Sequence, residues 1–75
     1  MTAGRGEGKM QITLNGKRAE VKDGITLAQI LDEMQIVPQM VACEVNLTIV
    51  RRGDYATTRI SEGDQVEILQ MIGGG

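Results

Sequence analysis

The sequence predicts an α+β domain in which one helix packs on a small sheet. Two observations lead there. Most patterned stretches alternate apolar and polar residues, from Met10-Gln11-Ile12-Thr13-Leu14 to Gln65-Val66-Glu67-Ile68, as half-buried strands do. One stretch instead places Leu27, Ile30, Leu31 and Met34 at i, i+3, i+4 and i+7, the apolar stripe of an amphipathic helix.

Size and composition narrow the function. Seventy-five residues make one small domain. Hydrophobic residues are 41% and charged residues 24%, too apolar a mixture for a wholly disordered chain. A net charge of -2 and a single aromatic, Tyr55, argue against nucleic-acid binding. With no Phe or Trp, the core must come from Ile, Leu, Val and Met. Cys43 is the only cysteine, which rules out an intramolecular disulfide. The chain contains no His, so Cys–His and Ser–His–Asp nucleophilic sites are excluded and the commonest metal ligand is missing. No apolar run approaches the ~20 residues of a membrane span, and no signal peptide is visible. The expectation is a cytoplasmic protein, monomeric when free, with no catalytic residues, metal site or bound cofactor of its own.

Residues 1–9 hold three glycines and no periodicity, and they read as a disordered leader, natural or added. Met10 opens the first strand and is a candidate start. Asn15-Gly16 favours the tight turn with two positive φ values, so Lys17 to Val21 returns antiparallel with Ala19 and Val21 inward. Thr26 caps the helix and Gln29 completes a capping box. Ile25 and Ile30 stand at the positions of a hydrophobic staple. The stripe of the helix faces the sheet, and Pro38 predicts that the helix ends near Gln35. Val41 to Val45 alternates, with Val41, Cys43 and Val45 on one face. Cys43 there reads as a small buried hydrophobe, since a reactive thiol needs an electropositive, exposed setting. Asn46 suits a turn into a short strand, Thr48 to Val50. Residues 55–59 read as irregular. Ser61-Glu62-Gly63-Asp64 is a turn, and Val66 and Ile68 point inward from the last strand.

The chain then runs Leu69-Gln70-Met71-Ile72-Gly73-Gly74-Gly75. Three glycines form a thin thread that fits a narrow channel, and they leave the Gly75 carboxylate uncrowded. A carboxylate is a poor electrophile until it is activated, for instance as an acyl-adenylate. Apolar Leu69, Met71 and Ile72 run up to the glycines, where a fraying end is usually polar. The expected division is a folded domain over residues 10–72 and a flexible tail over residues 73–75.

The motifs that start Met10-Gln11-Ile12, begin the helix Thr26-Leu27, and read Val41-Ala42-Cys43-Glu44-Val45-Asn46 and Glu62-Gly63-Asp64-Gln65-Val66-Glu67-Ile68 recur in one order. Together with the glycine end, this pattern resembles the ThiS/MoaD sulfur carriers of the ubiquitin-like β-grasp fold, and among them the ThiS carriers of thiamin thiazole biosynthesis. Leu47 stands where that family commonly has a small residue, often Gly. Val50-Arg51 stands where it often has Pro between Val and Arg. The resemblance implies a mixed sheet of about five strands on one helix, with the first and last strands parallel neighbours at its centre, a pairing that needs a crossover.

It also implies a mechanism. An E1-like, ThiF-like adenylyltransferase would use MgATP to adenylate Gly75, with Gly74 beside it in the channel. Sulfur from a persulfide would displace AMP and leave a thiocarboxylate, and a ThiG-like thiazole synthase would accept that sulfur. Gly73, Ile72, Met71 and Leu69 would contact the partners. Three alternatives stay open: a MoaD-like carrier for molybdopterin synthesis, a ubiquitin-like protein modifier, and a plain β-grasp binding module.

Overall fold

Asn15 and Gly16 both take positive φ, 51° and 82°, and this turn folds β1 (Lys9–Leu14) antiparallel onto β2 (Lys17–Lys22). The computed structural model describes residues 8–71. β1 starts at Lys9, one residue ahead of the expected Met10, and the Gly8 carbonyl accepts the Asp23 N–H at 2.9 Å. The rest of the expected leader lies outside the described residues.

Helix α1 (Leu27–Glu33) begins as its sequence dictates. The Thr26 hydroxyl oxygen accepts the Gln29 N–H at 3.2 Å, and the Gln29 side-chain oxygen accepts the Thr26 N–H at 2.9 Å. Two orphan donors of the first turn are thereby satisfied. The helix ends near Gln35, as expected, but by a different device from Pro38. Gln35 takes φ 59°, its N–H donates to the Asp32 carbonyl at 3.0 Å, and the Ile36 N–H donates to Leu31 at 2.9 Å. That pair of bonds is a Schellman termination with Gln where Gly is usual. The helix is therefore closed by its own left-handed turn, ahead of Pro38. Reversal at Gln35 turns Ile36 back toward the core. Met34, expected on the inner face, sits at the cap with 42% exposure.

A short 3-10 turn (Pro38–Met40) leads into β3 (Val41–Val45). Asn46 and Leu47, with φ 53° and 69°, turn the chain into β4 (Thr48–Val50). The first part of the stretch read as irregular, residues 55–57, belongs to a 3-10 helix, Arg52–Thr57, which carries Tyr55 into the core at 4% exposure. The segment after it is tied to the helix entrance: the Leu27 N–H donates to Thr58 and the Ile60 N–H to Ile25, both at 2.9 Å. Ile25 and Ile60 are buried as a result.

β5 (Gln65–Gln70) completes a mixed sheet in the order β2-β1-β5-β3-β4. β1 and β5 are parallel, and every other pairing is antiparallel. One face of the sheet carries Met10, Ile12, Val41, Cys43, Val66 and Ile68 against Leu27, Ile30 and Leu31 of the helix. This is the β-grasp arrangement, and it puts the last strand in the middle of the sheet.

Candidate functional site

The site is the place where β5 leaves the sheet, so what holds β5 decides its geometry. Two turn asparagines hold the start of the strand. On the β1 side, the Thr13 N–H donates to Asp64 and the Asn15 N–H to Val66, each at 2.9 Å. β1 then turns away, and no further carbonyl from it can continue the ladder. The Asn15 side-chain oxygen takes over and accepts the Ile68 N–H at 2.7 Å.

On the β3 side, the Asn46 N–H donates to the Gln65 carbonyl at 2.7 Å, and the Asn46 side-chain oxygen accepts the Gln65 N–H at 2.9 Å. The Asn46 amide also donates to Asp64 at 3.0 Å, while the other Asp64 oxygen accepts the Ser61 N–H at 2.8 Å. Both asparagines sit in tight turns because Asn tolerates positive φ. Their second role comes from the fold, which brings β5 against each turn.

At the far end, β3 stays paired with β5 from Val45↔Val66 to Val41↔Gln70. The Met71 N–H then donates to the Met40 carbonyl at 3.0 Å. Leu69 and Met71, expected partner-contacting residues, are 48% and 47% exposed. Met40, beside Met71, is 57% exposed, and sequence reading missed it. Its only signal was an apolar residue just before a strand, which periodicity alone does not place. Ile72, Gly73, Gly74 and Gly75 lie outside the described residues.

Cys43 is fully buried, with Tyr55 packed in the same core. Burial pushes the Cys43 thiol above its ordinary value of 9.0. Burial first, and then the adjoining Cys43, push the Tyr55 phenol up to about 12. A buried, neutral thiol is the opposite of an activated nucleophile. A shallow recess of about 260 Å3 is lined by Gln11, Ile12, Thr13, Arg18, Glu62 and Gly63. It lies by the loop before β5, at the end of that strand opposite the tail. Among the described residues, no helix is long and apolar enough to cross a membrane.

Comparison with known proteins gives a consistent set of likenesses. A model of the ThiS family matches residues 12–75, a span that includes the three glycines. The sulfur carrier protein ThiS of Escherichia coli (strain K12) is 30% identical over 66 residues, covering 88% of this chain and 100% of that protein. A thiazole synthase of Magnetococcus marinus is 39% identical over 66 residues, covering 88% of this chain. The chain spans only 20% of the length of that synthase. The crystal structure of a thiamine biosynthesis protein (ThiS) from Geobacter metallireducens superposes with a TM-score of 0.77 at 29% identity, covering 88% of this chain and 100% of that one.

Proposed function

The chain belongs to the ThiS family of sulfur carriers, and from that premise we propose that the Gly75 carboxylate is the group that carries the sulfur. An E1-like adenylyltransferase would bind the tail in a channel and present MgATP to it. Attack of the carboxylate on the α-phosphorus releases pyrophosphate and forms an acyl-adenylate. A persulfide sulfur then displaces AMP at the acyl carbon. Cleavage of the resulting acyl disulfide by a thiol leaves the thiocarboxylate. The protein serves as a co-substrate in this scheme, and its own side chains do no bond-making.

One observation carries the reading. The central strand runs out at Gln70, five residues before Gly75, with half-exposed Leu69 and Met71 at its exit. A rigid strand that ends in apolar surface and glycine suits delivery into a narrow channel. Ordering the four residues from Ile72 costs about 4–8 kcal/mol in backbone entropy. Burying about 300 Å2 of apolar surface near the exit returns about 7.5 kcal/mol at ~25 cal/mol per Å2. The two are of one scale, so docking next to the tail can offset its ordering.

Likeness to a protein named thiazole synthase supports thiazole formation as the destination of the sulfur, ahead of molybdopterin. A ThiG-like synthase is the acceptor under this reading. The test is deletion of Gly75, or of Gly74 and Gly75. Circular dichroism should be unchanged, and ATP–pyrophosphate exchange with the adenylyltransferase should be lost. Full exchange in the truncated protein would sink the carrier reading. Intact mass after incubation with the enzyme and a sulfur donor should show one oxygen replaced by sulfur.

A further inference from the structure

Asn15 is followed by Gly16, the pairing in which an asparagine amide is most open to attack by its own backbone. The Gly16 nitrogen attacks Asn15 Cγ, the Cγ–Nδ2 bond breaks, and ammonia leaves with the proton that the Gly16 nitrogen gives up. Water then opens the cyclic imide. Opening at Cγ leaves an aspartate. Opening at the α-carbonyl leaves an isoaspartate, in which the main chain runs through the side-chain carbon. Glycine favours ring closure because it puts no side chain beside the attacking nitrogen. The other asparagine of the chain, Asn46, precedes Leu47, which does.

Exposure does not protect this site. Asn15 and Gly16 are both exposed, and a Cβ placed on Gly16 would meet nothing within 4 Å. Protection comes from the backbone. Ring closure needs Cβ and the Gly16 nitrogen eclipsed about the Asn15 Cα–C bond. Asn15 is left-handed at φ 51°. Left-handed backbone has ψ of about +47°, which sets those two atoms nearly opposite each other. The residue must leave its turn before the ring can close.

Two bonds to β5 resist that movement. The Asn15 N–H donates to the Val66 carbonyl at 2.9 Å, and the Asn15 side-chain oxygen accepts the Ile68 N–H at 2.7 Å. Pairing of Leu14 with Lys17 closes the hairpin just behind the turn. Reaction therefore needs an opening of the hairpin tip that also frees the central strand from β1.

We propose that Asn15 is a deamidation site held shut by the fold, and that isoaspartate at this position marks chains whose β1–β5 junction has opened. The mark also keeps the junction open. Isoaspartate adds a backbone carbon to a two-residue turn whose length fixes the register of β1 and β2. It also moves the side-chain acceptor away from the Ile68 N–H. The aspartate product keeps the ordinary backbone and an acceptor, so the fold tolerates it. The inference is independent of sulfur carriage.

The experiment ages the full chain and a peptide of residues 11–20 in one neutral buffer, and the full chain again in urea. Asn15 and Asn46 are followed by peptide mapping, with fragmentation to tell aspartate from isoaspartate. The peptide should lose its Asn15 amide at least about tenfold faster than the folded chain. In urea, Asn15 should convert well ahead of Asn46. Chains aged in urea are then fractionated, mapped, refolded and melted. Mapping each fraction matters because Asp23-Gly24 can also form isoaspartate, without the mass gain of deamidation. The chain with isoaspartate at position 15 should melt below both wild type and Asn15→Asp, and its Ile68 amide should exchange faster. Failure of that chain to refold, where Asn15→Asp folds, is the same result in stronger form.

Equal rates in the folded chain and the peptide overturn the proposal. So does an isoaspartate chain that melts with wild type, because the turn would then not depend on its ordinary backbone. Conversion of Asn46 as fast as Asn15 in urea overturns the assignment of the site to the Asn15-Gly16 pair.

Discussion

Asn15 accepts the Ile68 N–H at its side-chain oxygen, 2.7 Å away and 53 residues on in the chain. The bond stands where the β1–β5 ladder would otherwise stop, so a turn residue finishes the pairing of the central strand. Asn15→Gly keeps a residue at ease with φ 51° but removes the acceptor. An amide left unpaired in partly buried surroundings costs about 1–3 kcal/mol. Urea denaturation should show that loss, and hydrogen exchange at the Ile68 amide should speed up. Asn15→Asp, which keeps the acceptor, should lose less.

Leu47 holds φ 69° while 82% exposed, so it bears left-handed strain with almost no burial in return. Gln35 does the same at φ 59° at the end of the helix. Left-handed backbone costs an ordinary residue about 1–2 kcal/mol, and Gly gives back about 0.5–1 of that through its looser unfolded chain. Leu47→Gly and Gln35→Gly should each stabilise the domain by about 0.5–1 kcal/mol. Chemical denaturation checks both. A loss of stability at position 47 would mean that Leu47 has a packing role in the free protein.

Stability should fall in alkali. The Cys43 thiol and the Tyr55 phenol are both held protonated by the fold, above their ordinary values of 9.0 and 10.0. As pH passes those values the unfolded chain releases protons that the native state keeps, which favours unfolding. Their contribution is complete below about pH 9 and declines until the phenol itself ionises near pH 12. Urea midpoints across that window should drop, and Tyr55→Phe should flatten the part of the drop above pH 10. An identical slope in that variant would remove Tyr55 from the account.

Core and docking residues should separate by experiment. Leu31 is fully buried, so Leu31→Ala should cost about 2–5 kcal/mol, enough to unfold a marginal domain. Leu69→Asp and Met71→Asp should change stability by about 0.5 kcal/mol or less, as exposed positions do. Both should still weaken binding to the adenylyltransferase. If either unfolds the protein, the exit of β5 belongs to the core and the docking surface lies elsewhere.

The sequence alone determined the parts of this protein that obey short-range rules. Asn15-Gly16 sets a hairpin because two adjacent residues must accept positive φ. Thr26 and Gln29 set the start of the helix because they bond within one turn. Alternation set which side of each strand is apolar. What only the tertiary structure decided depends on residues far apart in the chain. Gln35 ends the helix through bonds that Pro38 does not explain. Ile36, rather than Met34, packs against the core because the chain reverses at Gln35 and the strands lie beneath it. Tyr55 is buried because a 3-10 turn is tied back against the helix entrance. Asn15 and Asn46 clamp β5 because strands 20 or more residues apart settle into one register. That register is chosen by the joint packing of Val66, Ile68, Cys43 and Leu31, a many-body fit that no local pattern encodes.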